Sequence, residues 1–183
     1  MSIIGIVQEP HPILRQISVP FDLPVEAEDA GRILGDLHAA MARAARIHRF
    51  AKGMGVSAPQ LGAGRSAAVV RGPDGETLSL LNPHVTAQSA GTDEQYEGCW
   101  SFFDVRGKVS RPLDLEVEYQ DLDGTWRIVR VEQALARLVA HEVDHLRGVL
   151  YLDRMRSGTR PVQVSDYRGT GSAWQYAAVT GGS

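Results

Sequence analysis

Residues 141–145 read HEVDH: two histidines four apart, a glutamate after the first and an aspartate before the second. On a helix, side chains at i and i+4 lie one above the other on the same face. His141 and His145 would therefore point the same way, and two neutral imidazoles so placed can share one divalent cation. Glu142 lies about 100° further round the helix. From there it can approach a metal-activated water as general base without ligating the metal, as in HExxH hydrolases. A chance match to HExxH is expected roughly 0.01 times in a chain of this composition. A pair of solvated helix histidines is the plain alternative, but the apolar setting counts against it. Two uncompensated buried imidazoles and a carboxylate would be expensive.

A catalytic site of this kind needs a third protein ligand and an open position. The protease extension HExxHxxGxxH fails, because Gly148 is in place and Tyr151 stands where the last histidine should be. His11, His38, His48 and His84 all lie upstream in unsuggestive contexts. The lone cysteine, Cys99, sits in YEGCWS, which reads as a polar, turn-like stretch before a strand region. A thiolate there could complete a Cys-His-His site, and metal binding would deprotonate it.

The elements that would position these groups follow from periodicity. Glu132 to Leu146 reads as a helix whose middle, ALARLVA, is almost wholly apolar, so it belongs inside the core. A second helix is expected from Glu26 to Ala45, with Ala30, Ile33, Leu34, Leu37, Met41 and Ala45 along one face. Ala67 to Val70 and Thr77 to Leu81 flank the turn Gly72-Pro73-Asp74-Gly75 and read as a hairpin. Leu113 to Tyr119 alternates strictly and returns as Trp126 to Val131 after Asp121-Leu122-Asp123-Gly124. KGMGVSAPQLGAG, from Lys52 to Gly64, is expected to be a loop because it carries four glycines and a proline. In the Gly-, Ser- and Thr-rich tail after Arg156 a short strand at Val162 to Val164 is the one element offered. The expected class is α+β: short antiparallel sheets packed around a central buried helix carrying HEVDH, plus an N-terminal helix.

Bulk properties narrow the setting. A chain of 183 residues, 43% hydrophobic and 22% charged, is expected to form a single domain over 1–183, with 156–183 as a variable tail. Net charge is −3, which argues against broad phosphate-backbone binding, so no DNA partner is expected. No apolar run of about 18 residues is present, so no membrane partner is expected either. One cysteine excludes an intrachain disulfide, and the N-terminus lacks a basic segment followed by an apolar one. The expected compartment is the cytoplasm, and a monomer is expected over an oligomer.

Three segments in order, GMGVSAPQ (Gly53 to Gln60), EGCWS (Glu97 to Ser101) and HEVDH, resemble the signature motifs GxGxAAxQ, EGCxS and HExDH of the peptide deformylases. The flanks IVQEPHPILRQIS and DHLRGVLYLDRM are similar too, so the resemblance covers about residues 5 to 156. The resemblance implies a hydrolase that removes the N-formyl group from the formylmethionine of nascent peptides, meeting the ribosome transiently and releasing formate. It assigns one divalent metal to Cys99, His141 and His145, first Fe(2+), with Zn(2+), Ni(2+) or Co(2+) also seen. It makes Glu142 the base, and gives the oxyanion to the Gln60 amide and the backbone N–H of Trp100. It puts Met54, Gly55, Glu97 and Arg106 on the substrate side, the last two as supports of the site and of the substrate backbone.

The chain departs from the family pattern at Ser57, at Trp100 (usually leucine), at Phe102-Phe103-Asp104, at Ala140 and in its tail, which lacks a clear amphipathic helix. Trp100, Phe102 and Phe103 are expected to reshape the pocket, which raises a second reading: the same chemistry on another N-formyl compound. A zincin protease would need the missing downstream ligand. A metal-stabilised binding protein would need neither Glu142 nor Gln60.

Overall fold

The computed structural model describes residue 1 and residues 4–176. Its largest unit is a five-stranded antiparallel sheet built from β1 (Met54–Ser57), β2 (Ala67–Arg71), β3 (Thr77–Gln88), β6 (Asp114–Gln120) and β7 (Trp126–Glu132), in the order β1-β2-β3-β6-β7. A second sheet pairs β4 (Thr92–Cys99) with β5 (Phe102–Pro112), and β8 (Val162–Gln163) adds to the other edge of β5. Two α-helices, α1 (Ala27–Ile47) and α2 (Gln133–Leu146), complete the frame. The expected α+β class with antiparallel sheets is what forms.

Alternation across the strands explains how the helices are held. Side chains of successive strand residues point to opposite faces. Val69 and Leu81 join the cluster under α1 with Ala30, Ile33, Leu37 and Met41. Their neighbours Val70 and Leu80 join the cluster under α2, with Leu115, Val117, Val131, Ala136, Val139 and Val143. The sheet is thus covered on both faces, and that is why AAVV in β2 is a continuous apolar run rather than an alternating one. On α1 the buried stripe runs through Ala40 and Ala44, while the expected Ala45 is exposed and Leu34 is half-buried. Helix α2 also packs against β5, so it lies between the two sheets. It stops where Gly148 adopts a left-handed φ of 70°, and its N–H reaches the His145 carbonyl at 3.1 Å.

Two expectations are corrected. The glycine-rich stretch is not a loop: Met54–Ser57 is the buried edge strand β1, and Ala58–Leu61 is a turn of 3-10 helix. Gly55 in the strand serves close approach at the site, whereas Gly62 ends the 3-10 turn in a left-handed conformation at φ 82°. YEGCWS is not a free turn either. Cys99 is the last residue of β4 and pairs with Phe102 across a tight turn through Trp100 and Ser101. The polar sequence of β4 hides its strand character. Strand β3 also continues past the expected end at Leu81, through Asn82-Pro83, with two register shifts against β6.

Candidate active site

Helix α2 turns His141 and His145 toward the end of β4, where Cys99 waits. Ligand atoms of the three side chains lie within 4.8 Å of one another, and all three residues are buried. Cys99 Sγ stands 3.2 Å from His145 Nε2. Two imidazoles and a thiol make a borderline-soft donor set that suits zinc or ferrous iron better than a hard oxygen-seeking ion. Burial depresses the basicity of His145, and the neighbouring His141 and Arg111 add to it. A neutral imidazole is the form that ligates a metal.

A buried ionic network fixes the ligands. Burial opposes the charge on His141, but hydrogen bonds to Cys99 and Glu97 more than offset it. The contact to Glu97 runs from Nδ1 to Oε2 at 3.0 Å and leaves Nε2 for a metal. Glu97 is itself gripped by Arg111 through two hydrogen bonds of 3.0 and 3.1 Å, and by Arg137 at 2.7 Å. Burial would raise the Glu97 carboxyl, but Arg111 and His141 hold it well below the usual carboxylate range. Arg111 also donates to Asp144 at 2.5 Å, and Arg154 donates to the same carboxylate at 2.6 and 3.1 Å. The aspartate of HEVDH therefore ties α2 to β5 and to the segment after the helix. Arg111, Arg137 and Arg154 were not singled out in the sequence, although Arg137 stands in the middle of the apolar run ALARLVA.

Glu142 is different: it is buried, yet its Oε2 has no hydrogen-bond partner among the described residues. Burial pushes its carboxyl up to about 7. Gly55 on β1 makes room for it, since a Cβ at that position would fall 2.4 Å from Glu142 Oε1. Gln60 faces the same space from the 3-10 turn. Its Oε1 accepts from the Ser57 N–H at 3.0 Å and from the Ser57 hydroxyl at 3.2 Å. That fixes the amide so that its Nε2 points at Cys99 Sγ, 3.4 Å away, and at Ser101 Oγ, 3.3 Å away.

Outside this cluster opens a cavity of about 500 Å³, a size that suits a short peptide or drug-sized ligand. Met54, Gly55, Gln60, Cys99, His141 and Glu142 all line it. Arg106 lines it too, steadied by hydrogen bonds from its Nη1 to the carbonyls of Phe103 and Val105 at 2.8 and 2.7 Å. Glu97 lines the cavity as well, with its carboxylate engaged by His141, Arg111 and Arg137.

The sequence model described as "Polypeptide deformylase" matches residues 3–161. "Peptide deformylase 2" of Clostridium perfringens is 31% identical over 157 residues, covering 85% of this chain and 95% of that protein. "Peptide deformylase" of Acidobacterium capsulatum is 34% identical over 160 residues, covering 85% and 88%. Among solved structures, a class I type b peptide deformylase from Acinetobacter baumannii superposes with a TM-score of 0.74 at 29% identity, covering 82% of this chain and 97% of that one. The chain belongs to the polypeptide deformylase family.

Its departures from the deformylase motifs now have places. The Trp100 indole is only 6% exposed and packs at 5.6 Å, centre to centre, against Phe50 on the α1 side. It lines the cavity from a core position, and the half-buried Phe103 lines it beside His48 at 4.8 Å. Phe102 does not line it and packs instead on Tyr151 at 6.0 Å, which corrects the expectation that all three aromatics shape the pocket. Ser57 adds a hydroxyl that a deformylase alanine could not offer, and spends it on Gln60.

Proposed function

We propose that this chain hydrolyses the formyl amide of N-formylmethionyl peptides, releasing formate and a peptide with a free amino group. The observation that carries the reading is the convergence on one cavity of Cys99 and His141, with His145 beside Cys99 just behind them, a buried Glu142 whose Oε2 has no partner among the described residues, and the fixed amide of Gln60. A metal held by the three ligands, when bound, supplies a Lewis acid that makes water nucleophilic near neutral pH. Glu142 takes the proton of that water and returns it to the leaving nitrogen as the C–N bond breaks. A carboxyl poised at about 7 is suited to both halves of that transfer. The Gln60 Nε2 and the backbone N–H of Trp100 are assigned to the developing oxyanion. Met54 and Gly55, at the edge of β1, offer backbone groups to an extended substrate, and Arg106 stands beside it. Glu97 holds His141 in the right tautomer.

Ferrous iron is the first assignment for the ion, with zinc, nickel or cobalt as alternatives. The substrate is a nascent peptide met at the ribosome in the cytoplasm, by a monomer whose domain spans 1–183. No described helix is long and apolar enough to cross a membrane. Formate release from formyl-Met peptides by Fe- or Ni-loaded protein, measured beside Glu142→Ala, tests the proposal. Turnover no better than that control overturns it. Trp100 and Phe103 in the cavity wall favour one further reading, a preference for an N-formyl substrate other than formylmethionine. Rates across side chains at the first position decide it, and an ordinary methionine preference removes it.

A further inference from the structure

The family match ends at residue 161, but the cavity does not. Val164, Tyr167, Thr170, Ser172 and Trp174 line the same space as Cys99, His141 and Glu142. This segment is held at three places. At its start, β8 pairs with β5 through Val162 and Arg106, and the Val164 N–H donates to the Asp104 carbonyl at 2.8 Å. At its end, the Trp174 Nε1–H donates to the Tyr96 carbonyl at 3.0 Å, and the Arg137 guanidinium lies over the indole at 5.5 Å. In the middle, Lys52 donates to the carbonyls of Gly169 and Ser172 at 2.9 and 2.8 Å and sits 5.3 Å from the Tyr167 ring centre. The Tyr167 ring in turn packs on Tyr96 at 5.1 Å.

The anchors locate this segment relative to the chemistry. Lys52 is three residues before Gly55, at most about 10 Å along the chain. Arg137 is one helical turn before His141, about 6 Å along the axis. An extended peptide advances about 3.3 Å per residue. A substrate whose formyl carbon lies at the ligands, and which runs beside β1, brings its second and third residues level with this segment.

We propose that residues 162–174 form a wall of the substrate cavity that selects among the residues following the formylated one, and that Lys52 is the positioning residue that holds the wall in place. The identity of the substrate rests on the deformylase reading above; the wall itself does not. Lys52 is the only side chain described that bridges from the β1 side of the cavity to the middle of this segment, and burial beside Arg106 lowers its basicity, as befits an amine committed to carbonyls rather than to water.

The test compares formyl-Met-Ala-Ser with formyl-Met-Trp-Ser on metal-loaded full-length protein and reads the ratio of their kcat/KM values. A ratio within one preparation cancels losses from partial unfolding or poor metal loading. The intact chain should favour alanine at the second position. Lys52→Met and Tyr167→Ala should each narrow the ratio several-fold, through KM more than kcat, and Lys52→Arg should restore most of it. An unchanged ratio in both folded variants overturns the proposal. Hydrogen exchange gives a readout independent of turnover: adding the Met-Ala-Ser peptide should slow exchange in 162–174 of the intact protein, and unchanged exchange there overturns the proposal as well. Failure of the intact chain to release formate from either peptide would sink the deformylase reading, while the exchange result still decides the wall.

Discussion

Glu142 should be a stability liability whose size depends on pH. Its carboxyl is buried, one oxygen lacks a partner among the described residues, and burial raises its pKa from 4.5 to about 7. At about 1.4 kcal/mol per pH unit, that rise is worth about 3 kcal/mol in all. Below pH 4.5 the folded and unfolded chains both carry the proton, so the group costs nothing by titration. As pH rises from 4.5 toward 7 the unfolded chain releases its proton first, and stability falls; above about 7 the folded protein bears the full penalty. Glu142→Gln removes the titration. The amide brings its own burial cost, but that offset is the same at every pH and drops out of a comparison. Urea unfolding of metal-free wild type and variant at pH 5 and pH 8 should therefore find the variant gaining about 2.5 kcal/mol on wild type between the two pH values. In thermal melts of a chain this long, the same gain appears as a relative shift of about 5–10 °C. A difference between the two proteins that is equal at pH 5 and pH 8 would refute the argument, because it would mean that Glu142 is solvated or paired in the folded state.

Gly55→Ala would put a Cβ 2.4 Å from Glu142 Oε1. It should displace the base and lower kcat by about 10- to 100-fold, the range expected when a general base loses its position, with metal content unchanged by elemental analysis. Glu97→Gln should weaken metal binding about 10- to 100-fold in a competition titration with a chelator, because the acceptor behind His141 is weakened. Because the Glu97 carboxyl is depressed, it stabilises the fold in full above about pH 4.5 and loses that contribution as pH falls further, so the same variant should flatten the acid limb of the stability curve. Asp144→Ala leaves buried Arg111 with Glu97 as its one remaining carboxylate partner and takes from Arg154 the carboxylate it donates to. A cost of about 3–5 kcal/mol in urea unfolding is expected, and a loss under 1 kcal/mol would mean that the network is not buried in solution.

What the sequence could reveal followed from how local each cue was. The α2 pattern and the β6–β7 hairpin were legible because their signals lie within a few residues: a wholly apolar helix centre, and a strict alternation closed by a turn. The strands β1, β4 and β5 were not legible as strands, because the site dictates their composition. Gly55 is glycine to clear Glu142 on another element, and β4 is polar because Glu97 faces Arg111, Arg137 and His141 inward. Local propensity fails where residues answer to partners distant in sequence.

The same reasoning divides the site itself. The two histidines, the glutamate and the lone cysteine could be picked out by type and spacing, because a metal accepts few donor types and an α-helix fixes what i and i+4 can do, whereas Gln60 entered only through the resemblance to the deformylase motifs. The charges that hold them could not. Asp144 sits between the two histidines and looks like filler, but its partners are Arg111 and Arg154, 33 and 10 residues away. Arg111 links it onward to Glu97 and so to His141. An ion-pair chain of this kind leaves no periodic trace, since each member is an ordinary charged residue in its own segment. Its consequence is physical: the helix that carries His141 and His145 is fixed from behind by charge, so the face toward the cavity is free to keep one Glu142 oxygen without a partner among the described residues.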